Sequence, residues 1–209
     1  MITFEEFPKI PRLKRECVIT EKIDGTNAQV VITEDGEIGA CSRTRVITPG
    51  KDTDNFGFAA WVQDNREELL KMGPGRHFGE WYGAGIQRTY GLTERRFALF
   101  NTARWNPQNP NKPACCEVVP ILFVGALGDA DQALQDLEKN GSKAVPGFMR
   151  PEGVVVYHAA SRNLFKAVIE NDDVPKGLAD KVRVPRDPNK GGRRVGLTPG
   201  YEGPERRAA

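Results

Sequence analysis

The sequence has few of the residues from which many catalytic centres are built. It contains only two histidines, at positions 77 and 158, so a histidine-based triad or metal cluster is disfavoured. Its four cysteines are Cys17, Cys41, Cys115 and Cys116. None of them has the Cys-x-x-Cys spacing of a zinc site, and the pattern fits the reduced thiols of an intracellular protein.

Long apolar runs and a targeting segment are also missing from the sequence. The longest apolar stretch, Val118 to Gly128, is interrupted by Pro120 and is too short to cross a membrane. The first residues have neither the basic flank nor the apolar core of a signal peptide. We therefore expect a cytoplasmic protein with no membrane partner.

The charge is nearly balanced overall but uneven along the chain. The 209 residues carry a net charge of +2, whereas residues 176–209 hold nine Lys and Arg against four Asp and Glu, with six Gly and four Pro. This composition predicts an extended or disordered basic tail, residues 172–209, after a folded domain, residues 1–171. An acidic partner such as a phosphate backbone is one interpretation of the tail, and a solvated segment that aids solubility is the other.

The body of the chain alternates short apolar strands with two helices. Runs of β-forming residues bounded by turns predict strands at 17–21, 28–33, 38–42, 76–81, 97–101, 153–157 and 164–169. Asp54 or Asn55 is predicted to cap one helix that runs to about Met72, and Asp129 is predicted to cap a second helix that Gly141 ends. Many strands in hairpins and few helices indicate the α+β class, built on antiparallel sheets.

The first predicted strand, residues 17–21, leads directly into Lys22, which is followed by Asp24 and Gly25 in a tight turn. We expect Gly25 to let the backbone pass through a positive φ, which would hold one ammonium group at a strand end. A lysine attacks phosphorus only when neutral, so its free pKa of about 10.4 must be lowered by desolvation or by nearby cations. An ordinary hairpin with an exposed lysine is the alternative, because Asp-Gly is a common hairpin turn.

Five short stretches, of which the residues around Lys22 are the first, stand in a fixed order along the chain. They are Lys22-Ile23-Asp24-Gly25, Ser42-Arg43-Thr44-Arg45, Phe78-Gly79-Glu80-Trp81-Tyr82-Gly83, Phe97-Ala98-Leu99-Phe100-Asn101, and Glu152 to Tyr157 with Leu164-Phe165-Lys166 after it. This series resembles the covalent nucleotidyltransferases, the superfamily of ATP-dependent polynucleotide ligases and mRNA capping enzymes. Within this superfamily, the sequence of residues 21–27 and 79–87 looks like that of the RNA ligases of the phage RNA ligase 2 type. The resemblance covers residues 15 to 171.

The resemblance implies a nucleotidyltransferase (ATP-grasp-like) domain of antiparallel β-sheets flanked by a few helices. It implies an ATP-dependent RNA ligase of RNA repair, which forms a lysyl-AMP intermediate, transfers AMP to a 5′-phosphate and seals that end to a 3′-hydroxyl. ATP and Mg²⁺ or Mn²⁺ would be the cofactors. The partners would be RNA ends, with a nicked duplex as one form of them, and the protein would be a monomer in a bacterial or phage-infected cell.

The resemblance also assigns catalytic roles to three residues by their places in the motifs. Lys22 would attack the α-phosphate of ATP, and Lys166 would contact that phosphate. Glu152 would work with the divalent metal, to which Asp24 is the second assigned ligand. Asp24 has two interpretations, because it could steady the turn or hold a metal-bound water.

The remaining motif residues would bind the nucleotide. Asn27 and Arg43 would contact the ribose or a phosphate, Glu80 a ribose hydroxyl, and Phe100 the adenine, while Glu21 also belongs to this set. Phe97 is a rival of Phe100, and Arg45 is either a helper or a surface charge. The alternatives are a polar turn residue for Asn27, a buried salt bridge for Glu80, a core side chain for Phe100, and a capping or surface role for Glu152.

Two departures from the family pattern leave other functions open. The last motif usually has two lysines spaced Lys-x-Lys, but Leu164 and Val168 stand on either side of Lys166. The C-terminal segment is also too short for the second domain that these ligases carry. A small DNA ligase, or a non-catalytic module that binds nucleotides or nucleic-acid ends, is therefore the alternative function.

Overall fold

The structure, a computed structural model, describes residues 2–170 and 172. The residues as far as Asp172 group into one unit. The tail that we predicted over 172–209 lies outside the described residues except for Asp172 itself. Within the described part, no helix is long and apolar enough to cross a membrane.

Two β-sheets form the framework of the described chain. Its strands are β1 (Cys17–Lys22), β2 (Thr26–Ile32), β3 (Ile38–Ser42), β4 (Val46–Ile47), β5 (Gly75–Gly83), β6 (Arg95–Leu99), β7 (Cys116–Val118), β8 (Ile121–Gly125), β9 (Gly153–His158) and β10 (Asn163–Val168). One sheet has the order β4-β3-β2-β5-β6-β7, and the other has the order β10-β9-β1-β8. All pairs are antiparallel except β6 and β7, which run parallel.

The seven predicted strands are all present, and three others were missed. β4 has two residues and β7 has three, so neither is long enough to show a period-two pattern. β8 lies at a sheet edge with exposed residues on both faces, which removes the alternation by which a strand is recognised. The apolar run 118–128 thus contains an edge strand.

The predicted helix over residues 54–72 is two helices, α1 (Phe58–Asp64) and α2 (Arg66–Leu70). They are separated at Asn65, whose side-chain amide donates to the carbonyl of Trp61 at 2.8 Å, as short polar side chains often do where a helix breaks. The N-cap position of α1 is Gly57 rather than Asp54 or Asn55, and Gly57 supplies no side-chain cap. Asp54 still serves the start of the helix from three residues earlier, because its carboxylate accepts the backbone N–H groups of Ala59 and Ala60 at 2.7 and 3.1 Å.

The third helix, α3 (Asp129–Asn140), begins at the residue that we expected to precede it. The carboxylate of Asp129 accepts the backbone N–H of Ala126 at 2.6 Å, so it secures the entry to the helix from its first turn. Gly141 follows the helix with a φ of 81° and ends it as the sequence predicted.

Each sheet packs its own hydrophobic core, and a third cluster lies between them. Helices α1 and α2 cover one face of the six-stranded sheet, where Phe58, Trp61, Trp81 and Phe97 form an aromatic cluster. Helix α3 packs on the four-stranded sheet through Ala133 and Leu137. A cluster that includes Ile23, Tyr82 and Tyr90 joins the turn after β1 to the larger sheet.

The turn after Lys22 connects the two sheets rather than the strands of a hairpin. β1 belongs to the four-stranded sheet and β2 to the six-stranded sheet, so the hairpin alternative is wrong. The expected positive φ of Gly25 is also wrong. Glycine is required there because a Cβ atom would lie 2.4 Å from the carbonyl oxygen of Trp81 and 2.8 Å from Cβ of Tyr82.

Candidate active site

Lys22 and Glu152 form an ion pair at the end of β1. Lys22 pairs in register with Gly153 of β9, and Glu152 is the residue just before that strand. The Lys22 Nζ atom donates to Glu152 Oε2 at 2.6 Å, and the two side chains are 25% and 20% exposed. The structure therefore joins two predicted catalytic residues and leaves both accessible to a ligand.

Lys166 lies on the same face of the four-stranded sheet as Lys22. Lys166 pairs with Val155, which pairs with Thr20 two residues before Lys22, and side chains alternate between faces along a strand. The two lysines are two strands apart, a lateral distance of about 10 Å. Val168, where the family has a second lysine, lies in the row of Lys22 and Gly153.

Glu21 faces the opposite side of the sheet from Lys22 and is fully buried, with 1% exposure. Its Oε1 atom accepts the hydroxyl of Ser142 at 2.6 Å. Its Oε2 atom accepts the backbone N–H groups of Lys143 and Ala144 at 2.7 and 2.8 Å. With three donors on two oxygens, the carboxylate holds residues 142–144 against β1, so only the main chain of Glu21 is left to contact a nucleotide.

Asp24 is held by the loop that follows β5. Its Oδ2 atom accepts Nε of Arg88 at 3.0 Å, and its backbone N–H donates to the hydroxyl oxygen of Tyr90 at 2.7 Å. Tyr90 is 2% exposed. These contacts favour the turn-steadying interpretation of Asp24, because its charge is already balanced by a guanidinium group.

Glu80 lies on the other sheet and faces the same turn. Its Oε1 atom accepts the backbone N–H of Gly25 at 3.2 Å, and its Oε2 atom accepts the side-chain amide of Asn27 at 3.3 Å. Burial, together with the charges of Glu152 and Asp24, raises the pKa of Glu80 from 4.5 to about 7, against the lowering effect of Lys22 and of the Gly25 N–H. Among the described residues Glu80 has no salt-bridge partner, and its hydrogen-bond partners are neutral amides, so the buried salt bridge that we considered as an alternative does not form within this part of the chain.

The structure distinguishes between Phe97 and Phe100, the two candidates for stacking on the adenine. Phe97 is completely buried, with ring centroids 5.1 Å from Phe58 and 5.7 Å from Trp61. Phe100 is 41% exposed, and it lies on the sheet face of Ala98, which pairs with Glu80. Only Phe100 therefore presents a ring that a base could stack on from solvent.

Arg43 and Arg45 follow β3 and are exposed. The register Ala28–Ser42 puts Arg43 beside the end of β2 where Asn27 lies. Arg45 donates through Nη1 to the carbonyl of Thr53 at 3.5 Å. The structure thus brings Arg43 toward the edge of the site, whereas Arg45 supports the loop before α1.

Three residues of the site were missed by the sequence analysis. Ser142 contacts Glu21 across 121 positions of the chain, and no local pattern indicates such a contact. Arg88 and Tyr90 follow directly on the stretch Gly85-Ile86-Gln87, which the motif analysis had already noted. A polar and an aromatic residue at the end of a glycine loop were the available signal.

The residues present fit a divalent ion that is held mainly by a nucleotide. In the described part of the chain, no group of three or more His, Cys, Asp or Glu side chains is placed to hold a metal. Mg²⁺ is commonly held by one or two carboxylates together with substrate phosphates and water. Glu152 is the accessible carboxylate for that arrangement, because Asp24 is paired with Arg88.

The comparisons with known proteins concern the family and the fold of the chain. The family model for RNA ligases matches residues 15–168. Solved structures of Naegleria gruberi RNA ligase variants share the fold. A lysine-to-alanine variant with ATP and Mn has a TM-score of 0.56 and 22% identity, over 74% of this chain and 49% of that chain. An arginine-to-alanine variant with ATP and Mn has a TM-score of 0.57 and 20% identity, over 81% of this chain and 52% of that chain.

A lysine-to-methionine variant of the same ligase with AMP and Mn gives a TM-score of 0.54 and 23% identity, over 75% of this chain and 50% of that chain. The chain therefore spans about half the length of the solved relatives that it matches. No curated protein matches it in sequence. The α+β fold, with its two sheets and few helices, is that of the nucleotidyltransferase class, and by the match over residues 15–168 the chain belongs to the RNA ligase family.

Proposed function

We propose that this chain is an ATP-dependent RNA ligase that carries AMP on Lys22. The observation that carries the proposal is the accessible pair of Lys22 and Glu152, which lies close enough to Glu80 for both charges to affect the pKa of that residue. A nucleophile, a carboxylate for the metal and a hydrogen-bond acceptor for the sugar are thus gathered where the two sheets meet. Membership of the RNA ligase family supports the same activity.

In the first step Lys22, which is an ammonium in its ion pair with Glu152, would lose one proton, and the neutral amine would then attack the α-phosphorus of ATP. A P–N bond forms, the bond between the α-phosphorus and its bridging oxygen breaks, the nitrogen releases a proton to solvent, and pyrophosphate leaves. Glu152 accepts a hydrogen bond from Nζ and so orients the amine before attack. Lys166, on the same sheet face, would balance charge that develops on the phosphates. A divalent ion held by Glu152 and the phosphates would shield the charge that repels the nucleophile.

The nucleotide would be oriented by the six-stranded sheet. Phe100 offers an exposed ring for the adenine, and the carboxylate of Glu80 would accept a ribose hydroxyl. Asn27 lies beside Glu80 and Arg43 at the edge, where they would contact the ribose or a phosphate. For Glu21 we propose a positioning role of its side chain, through residues 142–144, with nucleotide contact left to its main chain.

Two further steps would complete ligation at RNA ends. AMP would pass from Lys22 to a 5′-phosphate, and a 3′-hydroxyl would then attack that phosphate and release AMP. We propose ends of RNA, including those at a nick in a duplex, as the substrates of a monomeric enzyme with Mg²⁺ or Mn²⁺. We further propose that residues 172–209 act as a separate basic tail, and that the protein works in the cytoplasm of a bacterial or phage-infected cell.

The test is adduct formation with ATP labelled at the α-phosphate. We expect label on the denatured parent protein and on Lys71→Ala, which removes an exposed lysine in a surface ion pair. We expect none on Lys22→Ala. Absence of label on folded parent protein that is free of AMP would refute the ligase function, and a non-catalytic nucleotide-binding module would then be the remaining candidate.

A second measurement distinguishes an RNA ligase from a small DNA ligase. The adenylylated protein is offered matched RNA and DNA nicks and single-stranded RNA ends. Sealing of RNA supports the proposal, whereas sealing of DNA alone would reassign the protein as a small DNA ligase.

A further inference from the structure

One arginine contacts both segments that carry the proposed reacting pair. Arg88 reaches Asp24, two residues after Lys22, through Nε at 3.0 Å. Its Nη1 atom donates to the carbonyl oxygens of Arg150 and Pro151 at 3.1 and 3.4 Å. Those carbonyls immediately precede Glu152, so a single side chain links two segments that are 130 positions apart in the chain.

The loop that carries Arg88 has an uncommon backbone. Gln87, Thr89 and Tyr90 have φ angles of 44°, 56° and 54°, a region that residues other than glycine seldom adopt and that persists where surrounding contacts impose it. The contacts are present here. Tyr90 is packed edge-on against Tyr82 and contacts Phe148 at a centroid distance of 4.6 Å.

The same loop contacts Asp24 twice. The hydroxyl oxygen of Tyr90 accepts the Asp24 backbone N–H at 2.7 Å, and Arg88 pairs with the Asp24 carboxylate. Main chain and side chain of this residue are therefore both fixed. Contacts with Arg88 and Tyr90, which lie outside the four-stranded sheet, therefore fix the position of the turn after Lys22.

A guanidinium group suits this arrangement better than an ammonium group. Arg presents donors in several directions from one rigid plane, so it can hold a carboxylate and two carbonyls at the same time. A lysine at this position has a single nitrogen, which can occupy one of the two ends. The Arg88 side chain is 23% exposed, so solvent screens it only in part.

We propose that Arg88 is a positioning residue for adenylylation, which fixes the distance between Lys22 Nζ and Glu152 by clamping Asp24 to residues 150 and 151. This role rests on the proposed ligase function. Arg88 needs no contact with ATP. Its loss loosens the orientation of the amine and leaves the nucleotide contacts of Phe100 and Glu80 in place.

The test is single-turnover adduct formation by the full chain with labelled ATP. Arg88→Ala is expected to lower the maximal rate about tenfold to a hundredfold, the usual effect of misplacing a reacting group by about 1 Å, while the half-saturating ATP concentration changes less than about twofold. Methylguanidinium in solution should restore part of the rate. Arg88→Lys, which holds only one end of the clamp, should lie between the parent and Arg88→Ala.

The matched control is Arg96→Lys. Arg88 pairs with the carboxylates of Asp24 and Glu170. Arg96 likewise pairs with two carboxylates, those of Glu94 and Glu117, and those contacts do not include Lys22 or Glu152. We expect this variant to keep the parent rate. A double variant of Arg88→Ala and Asp24→Asn should be no slower than Arg88→Ala alone, because both changes open one clamp.

A second readout does not depend on ATP. Brief treatment with an amine-acylating reagent, followed by peptide mass analysis, compares the modification of Lys22 with that of exposed Lys71. Arg88→Ala should raise this ratio several-fold, since Lys22 is held less firmly by Glu152, and Arg96→Lys should not.

The outcomes separate the inference from the function on which it rests. A parent protein that forms no adduct overturns both. If the parent protein is labelled, and Arg88→Ala has the same rate of adduct formation and the same ratio of Lys22 to Lys71 modification, the clamp alone is overturned. An equal loss of rate in Arg96→Lys also overturns it, since the effect would then be general. If Arg88→Ala does not fold, Arg88→Lys decides, and a parent-like rate in that variant overturns the clamp.

Discussion

Replacing Glu80 with glutamine should make the protein more stable at alkaline pH. Glu80 is 8% exposed, and its pKa is raised from 4.5 to about 7, chiefly because burial disfavours the charged form. The folded protein therefore holds this proton in a pH range where the unfolded chain has lost it. The free energy of unfolding should fall as the pH rises from 4.5 to 7, and the fall should be complete above 7.

The pKa shift sets the size of this effect. At 1.36 kcal/mol per pKa unit, a rise from 4.5 to about 7 corresponds to about 3 kcal/mol of stability lost above pH 7. A glutamine at position 80 is neutral at every pH and avoids this loss. Its amide oxygen can still accept the N–H of Gly25, and the Asn27 amide can turn to match it. We expect Glu80→Gln to be about 2–3 kcal/mol more stable than the parent at pH 8.

The assay is urea unfolding of parent and variant at pH 5 and at pH 8. The difference between the two proteins should be small at pH 5 and favour the variant at pH 8. Glu138→Gln, a change at an exposed site on α3, is the control. A parent–variant difference that is the same at both pH values would refute the reasoning. The more stable variant should form less lysyl-AMP, because an amide accepts a ribose hydroxyl less strongly than a carboxylate does.

Three other substitutions test single features of the fold by thermal or urea unfolding. Ser142→Ala removes the hydroxyl that donates to buried Glu21 and should cost about 1–3 kcal/mol, whereas an unchanged midpoint would contradict the buried network. Asp54→Ala removes the acceptor for two N–H groups at the start of α1 and should cost about 1 kcal/mol, and a loss below about 0.3 kcal/mol would argue against that cap. Gly25→Ala puts a methyl group 2.4 Å from the Trp81 carbonyl and should abolish soluble, cooperatively unfolding protein, so a parent-like variant would disprove the close approach.

Much of the framework follows from local sequence. The strands from β1 to β3 and the β9–β10 hairpin have β-forming residues bounded by turn residues, and all were predicted. Period-two alternation also accounts for the opposite directions of Glu21 and Lys22. Had that alternation been applied, it would have removed the Glu21 side chain from the nucleotide set.

The parts that local sequence did not show depend on distant contacts. Arg88 and Ser142 gain their roles from partners 64 and 121 positions away. Gly25 was recognised as necessary but for the wrong reason, since its need arises from the neighbouring strand β5. Edge strand β8 is half exposed and carries no clear alternation, so only its pairing with β1 reveals it.

The placement of β1 has a consequence for the order in which the protein folds. Both strands that pair with it in the structure, β8 and β9, come more than 90 residues later in the chain. In the larger sheet, by contrast, β2 pairs with β3 and with β5, and its most distant partner pair, Thr26 and Trp81, is 55 positions apart. Non-local pairs are slow to form, because a long loop must close first. During synthesis, the larger sheet can therefore assemble early, while Lys22 gains its partner only when Glu152 has left the ribosome. A nascent chain would be able to fold half of its nucleotide site well before it could hold the amine that reacts.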